Sequence, residues 1–187
     1  MKFEPTAIRE VIRVEPDVHR DARGFFVETW RAERWRAGGV IGPFVQDNHS
    51  RSRAGTLRGL HAQRLRPQGK LVRAVKGEIW DVAVDLRRGS PSYGRHVAER
   101  LSAENFVQLW VPPGFGHGFV VLSDEAEFVY KCTDYYDPGD ELRIRWNDPT
   151  LAIPWPVAEP ILSEADRRAP TLAEVEPLLP RYPGPGA

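Results

Sequence analysis

Along most of the chain, apolar side chains come in short runs bounded by Gly and Pro, and many alternate with polar residues instead of recurring at helical spacing. Such runs, rich in β-branched and aromatic residues, predict strands over Gly24–Trp30, Phe44–Asn48, Thr56–Gln63, Lys70–Val75, Glu78–Leu86, Arg95–Leu101, Phe106–Val111, Gly118–Leu122, Glu127–Tyr135 and Leu142–Trp146. Many short strands with turn signals at this spacing predict an all-β barrel or sandwich. The period-two pattern also assigns faces. In Ile79–Leu86 (IWDVAVDL) one face packs into a core, and the other carries Asp81 and Asp85 toward somewhere polar, which in a barrel is the lumen. In Phe128–Cys132 the residues Phe128, Tyr130 and Cys132 share the core-like face, so Tyr130 points inward and its hydroxyl is expected to find a partner there.

Helical signals are few. Arg31–Ala37 (RAERWRA) predicts a short helix stopped by Gly38 and Gly39, and Thr171 with Glu174 forms a capping box opening a helix to about Leu179. The tail RYPGPGA carries no pattern that would order it. With no internal repeat and no linker, residues 1–187 are expected to form a single domain, with 175–187 as a peripheral helix and tail.

Composition narrows the function classes. The 187 residues are 41% apolar, 28% charged and rich in aromatics, which excludes a disordered chain. With 26 basic and 26 acidic residues the formal net charge is zero, which argues against a protein that works by gripping nucleic-acid phosphates or an anionic membrane. No run approaches the ~20 apolar residues of a membrane helix, and the charged N-terminus does not resemble a signal peptide. The single cysteine, Cys132, leaves no intramolecular disulfide and fits a reducing compartment, so a soluble cytoplasmic protein is expected. Of the 26 basic residues only four are Lys: Lys2, Lys70, Lys76 and Lys131.

His is the side chain most easily tuned for proton transfer at neutral pH. His61 lies in a predicted strand, on the face of Gln63 and Leu57, and suits either a satisfied half-buried imidazole or a functional group. His117 follows a Pro-Pro-Gly turn between glycines, which suits a ligand's approach or a tight barrel corner. His19, His49 and His96 lack supporting neighbours and are expected at the surface. No His-x-His, His-Glu-x-x-His or close His/carboxylate spacing supports a metal, and no Gly-rich nucleotide loop or nucleophile elbow is present. Tyr130 suits a structural hydrogen bond or a phenol that gives up a proton inside a pocket.

These residues sit in a longer series of motifs: DARGFFVE (Asp21–Glu28), QDNHSRS (Gln46–Ser52), GTLRGLHAQ (Gly55–Gln63), GKLVRAVKGEIWDVAVDLRRGSPSYG (Gly69–Gly94), LSAEN (Leu101–Asn105), VPPGFGHGF (Val111–Phe119), YKCTDYYDPGDE (Tyr130–Glu141), WNDP (Trp146–Pro149), IPWP (Ile153–Pro156) and LSEAD (Leu162–Asp166). In this order they resemble the dTDP-4-dehydrorhamnose 3,5-epimerases, sugar-nucleotide enzymes with a cupin-type jelly roll. The resemblance covers Arg23 to Leu172. It implies an isomerase without cofactor or metal that epimerises carbons 3 and 5 of dTDP-4-keto-6-deoxy-D-glucose to dTDP-4-keto-L-rhamnose. Both carbons flank the ketone, so the chemistry needs a base, a partner for the enolate and an acid on the opposite face. The resemblance assigns His61 as base, Asp166 as its carboxylate, Lys70 to the enolate and Tyr130 as acid. It implies a homodimer in which Arg23, Phe26 and Glu28 reach the partner's site on an exchanged N-terminal strand. Further dTDP-sugar contacts fall on Gln46, Asn48, Arg58, His117, Tyr136 and Glu141. Phe26 and Tyr136 suit core or interface aromatics equally well, and Asp81 is placed to hold His117 in one tautomer.

Three departures stand out. Ala62 follows His61 where the family has an aromatic, and Ala165 precedes Asp166 where it has Lys. The loop Arg64–Gly69 is one residue short. Related activities stay open: a 3- or 5-mono-epimerase, a 3,4-ketoisomerase, a non-catalytic sugar-binding cupin or a metal cupin oxygenase.

Overall fold

Four-residue stretches, each with two charged residues, open the chain as strands too short for alternation to flag. In the computed structural model, which describes residues 1–182, β1 (Lys2–Pro5) pairs with β2 (Ile12–Glu15), and β3 (Val18–Asp21) folds onto β4 (Gly24–Val27) as a separate hairpin. The remaining strands are β5 (Gln46–Arg53), β6 (Leu57–Gln63), β7 (Lys70–Lys76), β8 (Glu78–Asp85), β9 (His96–Ser102), β10 (Gln108–Val111), β11 (Phe115–Val121), β12 (Glu125–Cys132) and β13 (Glu141–Arg143). They form two antiparallel sheets, ordered β1-β2-β10-β7-β12-β5 and β13-β6-β11-β8-β9. Neighbours distant in sequence, such as β7 with β12 and β8 with β11, give the jelly-roll crossover pattern of a cupin-like fold.

The inner faces meet in a core of Val72, Ala74, Ile79, Ala83, Phe119 and Phe128. Asp81 lies fully buried on that same face of β8, while Val82 and Val84 point away into a second cluster, so alternation separated the two faces, but the one expected to look somewhere polar also carries core residues, Ile79 and Ala83. That second cluster is covered by α3 (Leu172–Val175) and the 3₁₀ turn after it (Glu176–Leu178), while the short α2 (Glu164–Arg167) precedes them. The Thr171–Glu174 capping box is present. Towards the end of the described chain Val175 and Leu179 are buried, and Tyr182 N donates to Arg88 O at 2.9 Å. The rest of the predicted tail, 183–187, lies outside the described residues. A third cluster on the outer face of the six-stranded sheet packs Val14, Leu71 and Trp110 beneath Trp35 of α1 (Ala32–Ala37), the helix predicted there.

Asp85, at the end of β8, is fully buried and accepts hydrogen bonds from Arg87 N at 3.0 Å, Arg87 Nε at 2.8 Å and the hydroxyls of Ser90 and Ser92. Arg87 continues to Glu10, joining the barrel wall to the N-terminal segment. Burial alone would raise the Asp85 carboxyl, but Arg87 and the two hydroxyls outweigh it and hold it below the ordinary range. A carboxylate depressed in the folded state contributes stability above its unfolded value, about 4, and loses it as pH falls through the folded value. Asp85→Ala is expected to cost about 3 kcal/mol in urea unfolding at pH 7, because it leaves Arg87 short of a buried partner. The difference from the parent should shrink toward pH 3.

Candidate active site

The cleft opens between the two sheets at the end where β6 and β13 face β7, β12 and β5. β6 and β11 pair with a register shift, so that His61 lies opposite His117 and Arg58 opposite Phe119. Directly opposed residues share a face, so Arg58 and His61 share one face of β6, while Leu57, expected beside His61, lies on the other. The two strands pass very closely at the shift. A Cβ on Gly59, whose φ is +130°, would lie 2.6 Å from Gly118 Cα, so no side chain fits there.

His61 Nε2 lies 2.6 Å from Asp166 Oδ1. Asp166 is presented by the single turn of α2, where the Ser163 hydroxyl accepts from Asp166 N at 3.1 Å and donates to Oδ2 at 2.9 Å. Burial would raise this carboxyl, but His61, Ser163 and Arg143 together hold it below the ordinary range. An ionised carboxylate only accepts, so Nε2 carries the donated proton and Nδ1 keeps the ring's free lone pair.

The facing wall comes from β7, β12 and β5. Antiparallel register sets Lys70 opposite Cys132 and Tyr130 opposite Asn48. Lys70 has no ion-pair partner among the described residues; burial lowers its pKa, against the opposing pull of Cys132, Asp81 and Glu141. Tyr130 points inward as expected, its ring 5.4 Å from Phe128, and burial raises its phenol while Arg58 draws it back. Its hydroxyl, expected to have a partner, has none among the described residues. Gln46 Nε2 donates to Asn48 Oδ1 at 3.0 Å, and Gln46 Oε1 accepts from Tyr136 N at 2.9 Å, which fixes the rim loop. His61, Lys70, Asn48, Tyr130, Tyr136 and Glu141 thus line one cleft of about 250 Å³, with Ala62 in its wall.

The other expected contacts fall elsewhere. His117 is buried under the cleft, its Nε2 2.9 Å from Asp81 Oδ2, with its ring stacked on Phe128 at 6.0 Å; the Asp81 partnership is as inferred, but the ring meets the cleft through Phe128 and Tyr130. Arg58 is exposed and donates to Ser52 Oγ at 3.1 Å. Arg23 pairs with Asp21, and Glu28 pairs with Arg31 and Arg34; with Phe26 they lie on or beside the β3–β4 hairpin, away from this chain's own cleft. Phe26 is 70% and Tyr136 48% exposed, so neither is a core aromatic. His49 is exposed, 3.0 Å from Glu127, whereas His96, expected at the surface, is half-buried and its pKa lowered by that burial.

Sequence reasoning missed Arg143. It lies directly opposite His61 on β13, and its Nη1 is 2.8 Å from Asp166 Oδ1. The signal was available: Arg143 is two residues from Glu141 on a strand and therefore on the same face.

A His–carboxylate pair facing a lysine and a phenol inside a jelly roll defines the class: an isomerase of the cupin-like epimerase type. The chain belongs to the dTDP-4-dehydrorhamnose 3,5-epimerase family, whose model matches residues 5–174. It is 56% identical to the dTDP-4-dehydrorhamnose 3,5-epimerase of Pseudomonas aeruginosa over 94% of this chain and 98% of that one. A crystal structure of the Legionella pneumophila 3,5-epimerase in complex with dTDP-4-keto-L-rhamnose superposes with a TM-score of 0.94 at 49% identity, covering 98% and 99% of the two chains. A 3'-monoepimerase from Streptomyces bikiniensis, in complex with dTDP-quinovose, gives 0.90 at 39% identity over 95% and 92%. No helix among the described residues is long and apolar enough to cross a membrane.

Proposed function

We propose that this chain epimerises dTDP-4-keto-6-deoxy-D-glucose at carbons 3 and 5, giving dTDP-4-keto-L-rhamnose. The observation that carries the reading is the His61–Asp166 pair set across one cleft from Lys70 and Tyr130. His61 Nδ1 removes the proton from a carbon beside the ketone. The C–H electron pair moves into the ring and onto the C4 oxygen, forming an enolate, and Asp166 stabilises the imidazolium. Lys70, half-buried and without an ion-pair partner among the described residues, gains in the developing enolate a partner for its ammonium form. Tyr130 then returns a proton to the other face of the same carbon, and solvent resets both groups. The same cycle at the second carbon completes the reaction.

Gln46, Asn48, Tyr136 and Glu141 at the rim, with Arg58 beyond, are assigned to the sugar nucleotide. Arg23, Phe26 and Glu28 are assigned to the cleft of a second subunit in a cytoplasmic homodimer. Support comes from the hairpin itself, which exposes Phe25 and Phe26 to solvent.

Incubating the enzyme with the 4-keto sugar nucleotide in deuterium oxide tests the reading. Deuterium at carbons 3 and 5 with net inversion is the expected result. Label at one carbon alone supports a mono-epimerase instead, the activity named for the Streptomyces bikiniensis relative. Binding without label makes the chain a sugar-binding cupin.

A further inference from the structure

Arg143 is a cation that the proposed reaction does not use, seated within the pair that performs it. Its Cα lies directly opposite that of His61, so β13 delivers the side chain to the face of the imidazole. Nη1 donates to Asp166 Oδ1 at 2.8 Å, the same oxygen that accepts from His61 Nε2 at 2.6 Å, and it stands 3.2 Å from Nε2 itself. Nη2 is anchored on Glu141. The guanidinium is therefore held at both ends and is always charged.

We propose that Arg143 is a positioning residue that locks Asp166 against His61 and keeps the imidazole neutral between turnovers, an inference that rests on the epimerase reading of the site. Two donors on one carboxylate oxygen fix the carboxylate's rotation, and with it the ring's aim. They also divide its charge. An Asp–His pair without a third member draws a proton onto the imidazole, whereas a guanidinium within hydrogen-bonding distance opposes a second positive charge. A neutral ring is the form that can accept the substrate proton. The charge balance around His61 is set by Asp166 on α2, Arg143 and Glu141 on β13, and His117 opposite on β11. Lys70 and the phenols of Tyr130 and Tyr136 face it across the cleft.

The test is an NMR titration of the His61 ring in the free protein, compared among wild type, Arg143→Gln and Arg143→Lys. Arg143→Gln keeps a donor for Asp166 but removes the charge, and the His61 midpoint should rise by about one pH unit. The acid limb of the kcat/KM profile should move up with it. Arg143→Lys keeps the charge but not the fork. Its midpoint should stay near wild type, with kcat lowered about tenfold by the looser aim. A folded Arg143→Gln protein whose His61 midpoint is unchanged or lowered overturns the proposal. So does an Arg143→Lys enzyme indistinguishable from wild type, and that arm decides the matter if the Gln variant does not fold. The titration needs no turnover, so it separates failure of this proposal from failure of the epimerase reading, which the isotope experiment reports.

Discussion

His61→Ala lowers proton exchange at both substrate carbons by about 10⁴-fold, while binding of dTDP stays near wild type. The size follows from what is lost: the group within reach of the acidic C–H bonds, at the upper end of what general base catalysis contributes. The pattern matters as much as the size. His61 is the only imidazole lining the cleft among the described residues, since His117 lies below it against Asp81, so no neighbour takes over the proton. Exchange at the two carbons should therefore fall together, as read by deuterium incorporation in single-turnover samples. A variant that still labels one carbon at the wild-type rate would assign that carbon to a different base.

Tyr130→Phe gives the second large effect and a different signature. The ring is packed beside Phe128 and keeps that contact as Phe, and the lost hydroxyl has no partner among the described residues, so stability should change little. His61 still removes the proton, exchanges it with solvent and returns it to the face it came from. Deuterium is expected to enter, while inversion falls by about 10³-fold. Mass spectrometry reads the label and chromatography of the epimeric products reads the inversion. Wild-type inversion without the hydroxyl would remove Tyr130 from the mechanism.

What could be foreseen followed the reach of each signal. Period-two alternation placed Tyr130, Asp81 and Asp85 correctly because it operates within a single strand. Other placements depend on distant pairing. The opposition of His61 and His117 requires β6 to meet β11 across the intervening strands, and the shift at Gly59 then puts Arg58, not Leu57, on the face of His61, which no local count reveals. The strands β1, β2 and β3 were missed because each is only four residues long with two of them charged; Ile12–Glu15 does alternate, but two repeats of the period are too few to stand out. Charge of that kind is what exposed edges and hairpins use to resist unwanted pairing. The helix bearing Asp166 is a single turn, too short for an amphipathic pattern. Its cap was nonetheless in view, since Ser163 and Asp166 repeat the three-residue spacing recognised at Thr171 and Glu174.

The contact of β6 with β11 at Gly59 and Gly118 bears on how such an enzyme can diverge. A side chain at Gly59 would force apart two central strands in the stretch that aims His61, so selection for a stable barrel and selection for turnover act there on one trait. That seam has almost no freedom to drift. The rim is different: Ala62 in the cleft wall and the exposed Ala165 beside Asp166 are small side chains, and neither takes part in the close contact at Gly59 and Gly118. Substrate preference is thus free to wander at the edge of the site while the inherited geometry of proton transfer stays fixed at its base.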